Sequence, residues 1–463
     1  MIRKISAISV LIFANLVGLF VTLIGPWPTY SPGSVEKTSC YQRAITAIDS
    51  QAIDSTFSDA PDRLRAGWAK ASMTPPSGVP LSGYGARKGA PSSGVHDELW
   101  VKALALNDGA DTAVIVGSDM LIVPENAADL VRGQVWRQKG IGPGQVLLNA
   151  SHTHSGPGAF GPGFLAKQFA GEFDPDVVVF LADAFTKAII EAVQSMEYAA
   201  VAHGSAELKD YIRNRARSAD TDDVLNYLVV QQQDGDRCYV VRYSAHATVL
   251  GDENLEFSGD YPGFLQRAIE GKTGGFAIFL GGAVGSMGPK PPDGPDDFGR
   301  ARAMGEALAE PVLQAADGLE FQDRVEVASI GIPFKLPPLQ FRLNNSWRLS
   351  PLLFWLVGLD SDGWFHGVRV GDVVLIGTPS DFSGEISSEL RAWASTRLCD
   401  LWVLSFNGDY AGYISPDRYY ASAQKKGMEG YEMFLMSWCG PNQEAFFTGL
   451  TRHTVEVLGA GPH

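Results

Sequence analysis

The chain has 463 residues, of which 45% are hydrophobic and 19% charged, and its formal net charge is −15. This is enough apolar material for one large domain or two ordinary ones. The acid excess, with no basic run, argues against a nucleic-acid partner, because phosphate contacts need a basic face, and against electrostatic adsorption to anionic lipid.

Arg3 and Lys4 precede an uncharged stretch from Ile5 to Gly25, which Pro26 and Pro28 end. At a rise of about 1.5 Å per residue this spans roughly the 30 Å hydrocarbon core of a bilayer. The basic flank belongs on the cytoplasmic side, so the remainder would be exported, to the periplasm or the cell exterior. Residues 1–28 are therefore expected to form a single-pass membrane anchor. A cleaved signal peptide is the alternative, although no good A-x-A site follows Gly25. Residues 29–62 are polar and aperiodic, and read as a juxtamembrane linker with one short helix. Residues 63–463 follow as the main domain.

Within that domain strand-like and helical patterns alternate. Val101–Leu106, Thr112–Gly117 and Gln145–Ala150 read as strands, and Asn126–Lys139 and Asp176–Ser195 as helices. Val229–Gln232 and Cys238–Ala245 flank an Asp234-Gly235 turn, a hairpin signal. Phe276–Leu280 is a buried strand running into a glycine-rich loop. Ala301–Ala315, Glu385–Thr396 and Gln443–Leu458 read as helices, and Val370–Gly377 and Leu401–Phe406 as strands. The pattern predicts a mixed α/β fold, a single large domain with a central sheet. Four scattered cysteines, Cys40, Cys238, Cys399 and Cys439, include no C-x-x-C and make no disulfide framework.

The segment Asn149-Ala-Ser-His152-Thr-His154-Ser-Gly-Pro-Gly158 carries the strongest chemical signal. Histidines at i and i+2 on a strand share a face, and two co-facing imidazoles at a strand end begin a metal site. A pair of surface or hydrogen-bonded histidines is the ordinary alternative. The loop Gly281-Gly-Ala-Val-Gly285-Ser286-Met-Gly288-Pro289 is not a phosphate loop, since no Gly-Lys-Ser/Thr follows.

His-Thr-His-Ser-Gly-Pro-Gly resembles the signature of the neutral/alkaline ceramidases. Further resemblances follow in order: Gly94-Val-His96 to Ala103, Asn214-Arg215, Tyr243-Ser-Ala-His246, Thr378-Pro-Ser-Asp381-Phe, Asp409-Tyr-Ala-Gly-Tyr413, and Tyr431-Glu432. They run from about Gly67 to Pro441. The family's C-terminal sandwich domain is expected to be absent, because the chain ends soon after the last match.

The resemblance implies a Zn2+ site made of His152, His246, Asp381 and Tyr413. Asp381 stands where the family has Glu, which shortens the arm by one methylene. Taken singly, His246 reads equally as a core histidine, Asp381 as a helix cap and Tyr413 as packing. The resemblance also implies His154 as a proton shuttle, Tyr431 as a donor to the tetrahedral intermediate, and Arg215 as a holder of loop or substrate. The family's serine nucleophile falls on Gly288 in an ungapped match, and its Asp on Ser286. Three readings stay open: water activated by the metal without a serine, Ser286 as a substitute nucleophile, or loss of activity. The first is preferred.

The expected function is thus zinc-dependent hydrolysis of an N-acyl amide in a ceramide-like lipid. The alternative is a membrane-anchored lipid- or metal-binding homologue that has lost turnover. The apolar segment Trp347–Leu359 is too short to span a bilayer. It reads either as a lip that dips into the membrane or as an ordinary buried helix.

Overall fold

The computed structural model describes residues 2–31, 33–54, 61–357, 359 and 362–459. Two β-sheets lie face to face. The larger has eight strands in the order Phe276–Gly281, Arg237–Tyr243, Val224–Gln232, Glu197–Glu207, Arg65–Ser72, Trp100–Asn107, Thr112–Ser118 and Val146–Ala150. The smaller has four, in the order Val327–Lys335, Asp362–Val370, Val373–Gly377 and Asp400–Leu404.

Period-two alternation explains this arrangement. Along Trp100–Asn107, Leu104 and Leu106 enter an apolar layer with Val368, Leu375 and Trp402 of the smaller sheet. Val101, Ala103 and Ala105 point the other way, into a layer with the helices Glu125–Lys139 and Pro175–Gln194. The helices Asp260–Thr273 and Asp297–Ala315 complete that side. On the far side of the smaller sheet lie Gly384–Ser395 and Gln443–Val457. The result is a helix–sheet–sheet–helix sandwich of mixed α/β class.

Most of the expected elements occur within a residue or two. The hairpin pairs Val224–Gln232 with Arg237–Tyr243 across Asp234-Gly235, with Gly235 at φ 97°. The single strand expected at Val370–Gly377 is instead the end of one strand and the whole of the next. Gly371, at φ 59°, turns the chain between them.

Two expectations about the N-terminal part need correction. The one short helix expected between residues 29 and 62 is Ser39–Asp54, and it is packed onto the domain rather than held in a linker. The helix Ser39–Asp54 buries Ala44 and Ile48 against the smaller sheet and the helix Gln443–Val457. Gln51 exchanges hydrogen bonds with Gly331, 2.8 and 2.9 Å. As for the anchor, a helix does form over Ile2–Leu23, and its described side chains from Ile8 onward are exposed. Among the described residues, however, no helix is long and apolar enough to cross a membrane. In the apolar segment Trp347–Leu359, Trp347–Arg348 pairs with Trp27–Pro28, and Pro351–Val357 is a short helix with Leu352 exposed and Phe354 buried. Its side chains at 355–358 lie outside the described residues.

Because Ile48 is fully buried, Ile48→Ala should destabilise the full chain by about 3 kcal/mol, the usual scale for a large-to-small core change. Denaturant unfolding of both proteins measures this. A change below about 0.5 kcal/mol, as on a loose surface segment, would show that the helix does not belong to the core.

Candidate metal centre

The site forms where strands of both sheets end. Val146–Ala150 runs parallel to Thr112–Ser118, Phe276–Gly281 to Arg237–Tyr243, and Val373–Gly377 to Asp400–Leu404. Their carboxyl ends converge, the usual position for a ligand site in α/β sheets. Two residues past Ala150, His152 adopts a left-handed backbone conformation, φ 62°. Its ring stacks on Phe406, 4.1 Å between centroids, and its Nδ1–H donates to the Leu121 carbonyl at 2.7 Å. His246 follows the strand Arg237–Tyr243, and its Nδ1–H donates to the Val284 carbonyl at 2.7 Å. Asp381 and Tyr413 are direct partners in a two-strand parallel pair, Asp381–Phe382 with Tyr413–Ile414.

These backbone tethers aim the Nε2 lone pairs of both histidines inward. The two Nε2 atoms are 3.1 Å apart, and His154 Nε2 is 3.3 Å from that of His152. Nitrogen atoms of all three rings lie within 4.8 Å of one another. Asp381 Oδ1 is 3.5 Å from His152 Nε2 and 3.4 Å from His246 Nε2, while Tyr413 Oη is 3.5 Å from His246 Nε2. Asp381 Oδ1 is buried and meets no hydrogen-bond donor among the described residues, whereas Oδ2 accepts from Tyr410 Oη at 2.6 Å. Lone pairs facing lone pairs at a buried carboxylate oxygen make an arrangement that a cation satisfies, and the donor set of imidazole, carboxylate and phenol suits one.

Burial governs the charges. Desolvation pushes His152 down to about 3 and His154 and His246 well below the ordinary histidine range, with Arg215 adding to the effect on all three. The rings are therefore neutral, as ligands must be. Desolvation also pushes the Asp381 carboxyl up to about 7, against the pull of the Tyr410 hydroxyl and Arg215.

Arg215 stands beside this cluster. Its Nη2 donates to His246 Nε2 at 3.0 Å, to Tyr413 Oη at 2.9 Å and to the Gly285 carbonyl at 3.0 Å. Tyr431 meets Tyr413 edge-on, with centroids 5.6 Å apart. Ser286 does not join the group. Its Oγ lies 3.3 Å from Ser383 Oγ, turned toward the chain after Asp381 rather than toward a histidine. Its hydrogen-bond partner is thus another hydroxyl and not a base. His96 is also elsewhere, stacked on Phe298 with centroids 3.7 Å apart.

Several supporting residues escaped the sequence reading. Tyr410 holds Asp381, Tyr84 packs on His154 with centroids 4.5 Å apart, and Arg87 donates to the His154 carbonyl. Gly83, at φ 103°, admits the His154 ring where a Cβ would come within 2.5 Å of it. Glu432 sits behind Arg215 and Arg217 in ion-pair contact with both, and burial pushes its carboxyl up to about 8. Tyr410 and Glu432 lay within quoted motifs, but with no role assigned to them.

Comparison with known proteins fits this geometry. The model of the neutral/alkaline non-lysosomal ceramidase N-terminal domain matches residues 65–279. A curated neutral ceramidase of Pseudomonas aeruginosa is 25% identical, over 78% of this chain and 68% of that protein. The crystal structure of neutral ceramidase from Pseudomonas aeruginosa is similar with a TM-score of 0.70 at 20% identity, covering 88% of this chain and 76% of that one. A ceramidase complexed with C2 gives 0.71 at 18% identity, with 87% and 76% covered. The fold is thus the ceramidase fold, with a histidine-rich centre at its strand ends. The chain is thus similar to the neutral/alkaline non-lysosomal ceramidases, in sequence over residues 65–279 of that family's N-terminal model and in fold over most of its length.

Asp381 gives the centre a pH signature. A metal must displace its proton below about pH 7, while the histidines stay neutral there. Metal affinity should be flat above that point and fall by up to about tenfold per pH unit below it. Competition against a chelator across this range measures the slope, and Asp381→Asn should flatten it. An unchanged slope in that variant would remove Asp381 from the ligand set.

Proposed function

We propose that this protein is a zinc-dependent hydrolase that cleaves the N-acyl amide bond of a ceramide-like lipid with water as the nucleophile. The observation that carries the reading is the convergence of His152, His246, Asp381 and Tyr413, with an unpartnered carboxylate oxygen facing two imidazole lone pairs. These four residues would hold the ion. A zinc ion bound there supplies Lewis acidity to the amide carbonyl and to water.

The chain's own groups then divide the work. His154 accepts the proton of the attacking water and passes it to the departing nitrogen as the C–N bond breaks, leaving a carboxylic acid and an amine. Burial and the charges of Arg215 and Arg87 hold its basicity down, so a proton taken up there is readily given away. Tyr431 and Arg215 donate to the oxygen of the tetrahedral intermediate, and such donors are each worth about 100- to 1,000-fold in rate. Water rather than serine is supported by Gly288, which has no side chain to offer, and by Ser286, whose hydroxyl faces Ser383 and no base.

The same reading places the helix Ile2–Leu23 at the membrane and the catalytic domain on the exported side. Its described side chains from Ile8 onward are exposed and apolar for the most part, including Leu11, Phe13 and Leu16. The full chain should sediment with membranes. A mature protein starting near residues 26–34 would show cleavage instead.

On an N-acyl sphingoid lipid, Ser286→Ala should lose under about tenfold in rate, because its hydroxyl only shapes the loop. His152→Ala should lose its activity together with its zinc. A Ser286→Ala protein that retains zinc and is as inactive as His152→Ala would restore the serine as nucleophile, since removing a covalent catalyst costs several orders of magnitude.

A further inference from the structure

A cleft of about 390 Å³ opens beside the metal centre, and Arg213, Arg215, Thr248, Gly288, Arg300 and Met428 are among the residues that line it. Three guanidinium groups face one small space, and no aspartate or glutamate is in its lining. Arg215 connects the cleft to the centre, since its Nη2 is 3.0 Å from His246 Nε2. Arg300 is paired with Asp297 at 3.0 Å on its own helix. Arg213 makes no ion pair among the described residues, and its Nε donates only to the Pro289 carbonyl, at 3.4 Å.

Of the three, only Arg213 is without a carboxylate partner among the described residues, since Arg300 has Asp297 and Arg215 has Glu432 at 3.8 Å, and the cluster stands out in a chain of net charge −15. A bound anion would satisfy the donors these pairs leave free, and the planar Arg fork matches carboxylate, phosphate and sulfonate oxygens. The cleft also has room at its inner wall. Gly288 is the register partner of Arg213 in a short antiparallel pair. The nearest atoms to a Cβ built on it belong to the Arg215 and Arg213 side chains, at 3.4 Å and beyond. A side chain could therefore stand there, and its absence leaves Arg213 and Arg215 open to the site.

We infer that the substrate is an N-acyl amide carrying an anionic group close to the scissile bond, and that Arg213 and Arg300, with Arg215, bind that anion. This rests on the amide-hydrolase reading of the centre and narrows its substrate class from neutral to acidic N-acyl compounds. The anion can be the carboxylate of an N-acyl amino acid or the phosphate of an N-acyl sphingoid phosphate, which share the recognition chemistry.

The test compares kcat/KM of the zinc-loaded full chain on three amides with the same acyl chain: a neutral N-acyl sphingoid, its 1-phosphate, and an N-acyl amino acid. The expected result is a preference of about tenfold or more for at least one acidic substrate. Whichever acid wins identifies the source of the charge. In Arg213→Gln/Arg300→Gln the ratio of acidic to neutral turnover should fall at least about fivefold, carried by KM. Equal or better turnover of the neutral lipid, or a ratio unchanged in the double variant, overturns the inference and leaves the hydrolase reading intact. If none of the three is cleaved, the hydrolase reading fails instead, and calorimetry with inorganic phosphate decides the cleft. Binding that is lost in the double variant upholds the anion site, and binding that is absent or equal in both proteins overturns it.

Discussion

Asn149, next to last in the strand Val146–Ala150, turns its side-chain amide toward Phe276–Gly281, the strand at the opposite end of the eight-stranded order. Its Oδ1 accepts from the Gly281 N–H at 2.7 Å, and its Nδ2 donates to the Gly281 carbonyl at 3.1 Å and to the Ser405 carbonyl at 2.7 Å. One fully buried amide thus joins both ends of the larger sheet to the smaller one. His152 follows the first of these strands, the Val284–Gly288 loop follows the second, and Phe406 and Tyr413 follow the third. Buried amides left unpaired are costly, so this clamp tolerates little displacement, and the residues just beyond it inherit its precision.

That precision is what allows a shortened acid to reach the centre. Asp381 lacks one methylene relative to the glutamate that the family resemblance implies, so its backbone must stand closer. The parallel pairing with Tyr413 and the approach of the glycine loop put it there. The Gly285 N–H donates to the Phe382 carbonyl at 2.8 Å, and a Cβ on Gly285 would come within 2.7 Å of the Asp381 carbonyl. The contact exists only because residue 285 is glycine. The cost is a nearly dry pocket in which charge is expensive, and the pKa shifts follow: imidazoles held neutral and carboxyls pushed up.

How much of this was legible in the sequence depended on whether the signal was local. His152 and His154 stood in one strand-end motif, and alternation located most strands because each has one face on each apolar layer. His246, Asp381 and Tyr413 are 94 to 261 residues from His152, and no spacing rule connects them; only the ordered family resemblance did. A short helix was expected between residues 29 and 62, but the packing of Ser39–Asp54 on the domain was not, because its polar surface dominates a short window while its burial depends on a sheet almost 300 residues later. The strands Arg65–Ser72 and Glu197–Glu207 were passed over because alanines and glycine weaken their apolar pattern. The arginines of the cleft are separated by up to 87 residues in a chain whose overall charge is strongly negative, so composition concealed them.

The glycines of the loop after Phe276–Gly281 are not equivalent, and the difference bears on what kind of departure this chain represents. At Gly281 and Gly285 a Cβ would collide with backbone carbonyls at 2.3 and 2.7 Å, so the fold itself requires glycine. At Gly288 nothing collides: the backbone accepts a side chain, and the nearest atoms belong to two arginine side chains at ordinary contact distance. Glycine at 288 is therefore not forced by folding. The hydroxyl that the family resemblance places there would have stood between Arg213 and Arg215, screening their charge from the site. On the proposed reading, its loss removes a nucleophile and opens Arg213 and Arg215 to the site in the same step. A chain drifting toward inactivity would have no reason to keep the histidine centre, the Asp381–Tyr413 pairing and the Asn149 clamp around that change, so the substitution reads better as a change of chemistry and substrate than as decay.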